Sequence, residues 1–207
     1  MTAKPESRRQ EDILNYWFGQ LKENEGPSNE YYKKWFAKDE RVDHFIKTNF
    51  ESDLQRAIDG HLRSWEEAPR GALALIILLD QFSRNIYRGL PRAFTQDHLA
   101  LELCLKGIEK GFDMKLHPVE RLFFYMPLEH SEDLEMQKKS VELFSMMEEL
   151  FPSPHNLSYM VSEFKKYADM HYVIIERFGR FPHRNQVLGR KSTPEEVEFL
   201  KQPGSSF

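Results

Sequence analysis

With 207 residues, 40% of them hydrophobic, 13% aromatic and 30% charged, the chain carries too many apolar groups to stay disordered and too many charges to sit in lipid. No apolar run nears the roughly 20 residues of a membrane span, and the first residues lack a signal-peptide core, so a cytoplasmic protein without membrane contact is expected. A net charge of −4 gives no global pull toward nucleic acid, and Cys104, the one cysteine, excludes an intrachain disulfide and a cysteine-only metal cluster.

The length suits one domain, expected over residues 7–200 with loose tails at 1–6 and 201–207. In chain order, Ser7 with Gln10 three residues on has the form of a capping box, and Ile13, Leu14, Trp17 and Phe18 recur at helical spacing up to Gly19. A turn-rich stretch, Asn24–Asn29, leads to Tyr31, Tyr32, Trp35 and Phe36; these aromatic pairs, like Trp17-Phe18, are read as core. Asp39 is placed as the cap of a helix carrying Val42, Phe45, Ile46, Phe50, Leu54, Ala57, Ile58 and Leu62, with a break near Thr48-Asn49. Ala72 to Leu79 is apolar on every side and reads as a buried helix, because Asp80, Arg84 and Arg88 fall four residues apart and extend its faces.

Thr95 or Gln96 opens the next helix, which carries Leu99, Leu103, Cys104 and Ile108 to Gly111; Cys104 is read as a small buried hydrophobe. Pro118 sits at a first helical position, Pro127 interrupts that helix, and Ser131 caps a longer one with Val141, Phe144, Met147 and Leu150 on its core face. Beyond the break at Phe151–His155, the residues Leu157, Met160, Phe164, Ala168, His171, Ile175 and Phe178 form one stripe ending at Gly179. Thr193-Pro-Glu-Glu196 starts a last short helix. Alternating β-branched runs between Gly/Asn turns are nearly absent, so the expected fold class is all-α.

Three polar clusters lie where apolar helices end: Asp80–Asn85 with Arg88, Glu129–Asp133, and the basic segment from Arg177 to Arg190. Guanidinium forks bind carboxylate and phosphate through paired hydrogen bonds. Arg84, Asn85, Arg88, Arg177, Arg180, Arg184 and Asn185 are therefore the candidate ligand-binding set, for a small anionic molecule or the carboxylate of a protein partner. Glu129, His130, Asp133 and His171 would orient those donors. The structural alternative pairs the same arginines with Glu129, Glu132, Asp133 and Asp80 in a network that seals helix ends, which makes the protein an interaction scaffold.

His171 occupies a core-stripe position, where it is either a hydrogen-bonded core histidine or, opening on a pocket, an acid or base; His130 is the other catalytic candidate for a hydrolase-type reaction. His130, with Asp133 three residues on, could join His171 or His183 at a metal. That spacing recurs by chance and a zinc site wants three held ligands, so no metal and no cofactor are expected. Gly-x-Ser-x-Gly, Gly-x-x-x-x-Gly-Lys and Gly-x-Gly-x-x-Gly are all missing, which removes support for standard hydrolase, P-loop and dinucleotide chemistry. Acidic residues flank the basic segment and no reading module is visible, so nucleic acid is not expected as a partner.

Several strings are long and specific: Tyr16-Trp-Phe-Gly19, Leu78-Leu-Asp-Gln-Phe-Ser-Arg-Asn-Ile-Tyr-Arg-Gly89, Phe94 with Asp97, Phe124–Asp133, Arg177–Asn185 and Leu188-Gly-Arg190. By these the chain resembles, over nearly its whole length, the mostly bacterial family known as domain of unknown function 924. The resemblance implies a superhelical array of antiparallel helix pairs like that of tetratricopeptide proteins, and it implies no reaction, substrate or catalytic residue. Ser83 departs from the proline expected there in many relatives, leaving Arg84 and Asn85 in place.

Overall fold

One face of α1 (Glu6–Phe18) is buried through Ile13, Leu14, Trp17 and Phe18, and Gly19 at φ +69° ends it. The structure, a computed structural model, describes residues 6–23 and 25–206, with side chains from Arg8 onward, so the Ser7–Gln10 box and Asn24 lie outside the described residues. Among the described residues there are helices and turns and no strand.

Helix α2 (Asn29–Phe36) buries Trp35 but leaves Phe36 54% exposed, which corrects the reading of every aromatic pair as core. Asp39 caps α3 (Glu40–Ile58) by accepting from the Arg41 N–H. The helix runs unbroken through Thr48-Asn49: the Asn49 amide donates to the Phe45 carbonyl four residues back, and Ile46 and Phe50 anchor the turn in the core. It ends before Leu62, which reaches the core from a turn.

Helix α4 (Pro69–Ile76) is buried over Gly71–Ile76 and passes into a π-helical turn, Ile77–Phe82, then into the single turn α5 (Ser83–Ile86). Helix α6 (Asp97–Glu109) follows. Its Gly107 lies so close to the Phe124 ring that a Cβ would sit 2.3 Å from the ring tip. Helix α7 (Pro118–Glu129) contradicts the expected interruption at Pro127. Its last turns are buried throughout, and that packing outweighs one lost N–H, so the helix continues two residues further.

Ser131 does not cap α8 (Leu134–Leu150); Asp133 does, accepting from the Glu135 and Met136 N–H groups, while Ser131 Oγ accepts from the Asp133 N–H. The seven residues 151–157 join α8 to α9 (Ser158–Phe178), with which it forms the principal helical hairpin, and Gly179 closes α9 in the left-handed conformation. Thr193 and Glu196 form the expected capping box of α10 (Pro194–Phe199).

Around the buried α4–π–α5 rod, α1 packs on α4, α3 on the π turn and α5, and α6 and α7 on α4, with α8 and α9 beyond α7. Trp35 and Phe123 meet at 4.6 Å between ring centroids, joined by Phe18 at 5.3 Å and Phe164 at 5.7 Å, each measured to Phe123. A smaller cluster of Ile174, Ile175 and Phe181, with Phe178 and Phe199 against it, holds the C-terminal segment. No helix of the described residues is long and apolar enough to cross a membrane.

Candidate functional site

The π turn places a carboxylate, Asp80, with no exposed surface inside an otherwise apolar segment. π-helical turns of this kind recur at functional sites. The Asp80 carboxylate accepts from His130 Nδ1 at 2.7 Å and from Gln81 Nε2 at 2.5 Å and forms an ion pair with the Arg84 guanidinium 2.9 Å away, which donates to the Asp80 carbonyl at 2.8 Å. Burial alone would raise its pKa; the Arg84 and His130 contacts win and hold it ionised, below the usual carboxylate range.

Glu129, in the last residue of α7, is only 3% exposed and behaves in the opposite way. Burial, then the Asp80 charge, pushes its carboxyl up to about 8. Its Oε1 lies 3.1 Å from His171 Nδ1, while Oε2 is buried with no hydrogen-bond partner among the described residues. His171 Nδ1 is also 2.8 Å from the Tyr167 carbonyl, which can only accept, so Nδ1 carries the proton and donates it there. Burial, and then His130, pull the His171 pKa well down. With both groups driven toward neutrality, the approach of Glu129 to His171 is not an ion pair. His130, which follows α7, is likewise pulled down by burial.

Arg84 and Arg184 complete this centre by converging on one half-buried carboxylate. Arg84 grips Asp97 through two bonds of 3.0 Å. Arg184 reaches the same side chain only at 3.4 Å and donates to the His130 carbonyl at 3.1 Å. Its guanidinium lies between the Phe94 and Phe181 rings, at 4.8 and 4.5 Å from their centroids, and its Nε is buried with no hydrogen-bond partner among the described residues. Burial and then Arg84 lower its pKa to about 10.

The structure thus brings Arg84, Glu129, His130, His171 and Arg184 together and distributes the other candidates. Arg180 and Asn185 both bond Glu196 in the neighbouring C-terminal segment, where Arg190 forks onto Glu132. Asn85 and Arg88 instead meet Asp43 on α3, because Arg88 lies past the end of α5 and turns away from Asp80. Arg177 pairs with Glu195 on the surface, and Asp133 is spent on the α8 cap. The acids Asp43 and Asp97 escaped the residue-level reading because their partners lie 13 to 87 residues away. Asp80, a charge within an apolar run, was legible as a polar-cluster residue and as a structural partner of the arginines, and it pairs with Arg84 here.

The family model described as bacterial protein of unknown function (DUF924) matches residues 13–204. The structure of the protein of unknown function ATU0120 from Agrobacterium tumefaciens is similar at 31% sequence identity and a TM-score of 0.79, over 95% of this chain and 99% of that one. Comparison with curated proteins gives no match.

Proposed function

From the premise that the chain belongs to the DUF924 family of bacterial proteins of unknown function, we propose that it is a cytoplasmic binding protein that takes a small anion, or the carboxylate of a partner, at Arg184. On this reading its helix pairs, α8 with α9 foremost, stack as in tetratricopeptide arrays and carry the binding residues at one end. The supporting observation is the incomplete neutralisation of Arg184, whose ion-pair carboxylate is 3.4 Å away and already gripped by Arg84, and whose buried Nε has no acceptor among the described residues. A planar guanidinium with an unused donor in a low-dielectric setting favours an oxyanion that can accept two bonds.

A second reading, the scaffold, is favoured by the completeness of the other pairs: Arg180 with Glu196, Arg190 with Glu132, Arg88 with Asp43 and Arg177 with Glu195. Thermal denaturation in phosphate, sulfate and acetate separates the two. Anion binding at 100 times its dissociation constant stabilises by about 2.7 kcal/mol, a rise in Tm of about 5–10 °C for a chain of this size. Arg184→Ala, checked for native helix content by circular dichroism, abolishes the rise and Arg177→Ala keeps it. A wild-type Tm indifferent to all three anions leaves the scaffold.

A further inference from the structure

We propose that Glu129, His130 and His171 form a site for one divalent transition-metal ion, zinc being the first to test. The expectation of no metal rested on the His130–Asp133 spacing, and the structure spends Asp133 elsewhere; the third group facing the two imidazoles is Glu129. One ligand atom from each of the three lies within 4.8 Å of the others. Glu129 and His171 are buried, and the Glu129 Oε2 has no hydrogen-bond partner among the described residues. A buried carboxyl oxygen left without a partner is costly, and a cation that takes the place of the carboxyl proton would remove the cost.

Both imidazoles are held as metal-binding histidines are. His130 Nδ1 donates to the Asp80 carboxylate at 2.7 Å and His171 Nδ1 donates to the Tyr167 carbonyl at 2.8 Å. With the proton on Nδ1, each ring carries its lone pair on Nε2, and a carboxylate behind one ring raises its basicity as a ligand. Two imidazoles and one carboxylate suit zinc and its first-row neighbours, and three protein ligands leave a fourth position open. Bonds of about 2.0–2.2 Å set tetrahedral ligand atoms roughly 3.3 Å apart, so binding needs the side chains to close by no more than about 1.5 Å.

This inference uses residues other than Arg184 and does not rest on the anion reading. After treatment with a chelator, the full-length protein is dialysed against micromolar zinc and, separately, cobalt, and the retained ion is counted by mass spectrometry. One ion per chain is expected, with cobalt giving the visible absorption of a four- or five-coordinate N/O site. Glu129→Gln, close in volume, removes the ion while leaving any Arg184-dependent anion response, so the two readings fail separately. Asp80→Asn, which acts only through His130, weakens binding about 10–100-fold. No retained ion in the folded wild type, or equal retention by Glu129→Gln and Asp80→Asn, would overturn the proposal.

Discussion

Glu196 shows how one side chain gathers donors from three places in the chain. Its carboxylate accepts from Arg180 at 2.6 and 2.8 Å, from the Thr193 N–H at 2.7 Å and from Asn185 at 3.3 Å. The Arg180 bonds are the largest cause that holds its pKa down at about 2. A carboxyl whose folded pKa lies below its unfolded value contributes stability above the unfolded value and loses it as the pH falls toward the folded one. The contribution of Glu196 is therefore full above about pH 4.5 and disappears as the pH falls toward 2. Glu196→Gln retains the capping-box geometry but has no proton to gain, so its Tm is expected to fall less steeply than the wild type across that window. Superimposable acid limbs for the two proteins would show that Glu196 is not held down in the folded state. Of these partners only Thr193 was legible from the sequence, because a capping box spans four consecutive residues, whereas the approach of Arg180 and Asn185 depends on how the chain turns after Gly179.

The same contrast between local and distant causes holds for whole elements. The caps at Asp39 and Thr193 and the left-handed end of α9 at Gly179 are written within a few residues and form as read. The π turn is not legible, since Ile77–Phe82 has the composition of a buried α-helix and the wider turn is selected by what packs around it. Pro127 reads as a stop only where the surrounding turn is free to unwind, and here Phe123 to Leu128 are all buried. Ser131 and Asp133 both stand at plausible capping distance, and the path of the chain after α7 decides between them. That decision is testable at Asp133, which was also a candidate to orient the binding arginines. Asp133→Ala is expected to cost about 1 kcal/mol, the usual loss of an N-cap, and about 2–4 °C of Tm. It should leave the response to anions untouched, because the Asp133 carboxylate bonds, among the described residues, the first turn of α8. A lost anion response at an unchanged Tm would return Asp133 to the site.

At the scale of the molecule, the two apolar clusters are unequal. The large one runs from Ile13 in α1 to Ala168 in α9, while the C-terminal segment rests on Ile174, Ile175 and Phe181 alone, with Phe178 and Phe199 half-buried beside them. Stability divides along such lines, and a segment with little apolar burial opens at a lower free energy than the core. Beyond that cluster, polar bonds tie residues 179–200 to the body. Glu132 accepts from the Phe181 N–H at 2.8 Å and from Arg190 at 2.6 and 2.9 Å, and Arg184 reaches the His130 carbonyl. Hydrogen bonds to a charged group contribute about 1.5–3 kcal/mol when lost. Glu132→Gln keeps the shape, removes the charge and should lower the local opening free energy by about that amount. Amide exchange in 179–200 is then expected to speed up about 10–100-fold, with α4 and α7 unchanged. Equal acceleration in both regions would mean that the C-terminal segment opens only with the whole domain. Selective acceleration would identify it as a unit that opens separately from the domain core.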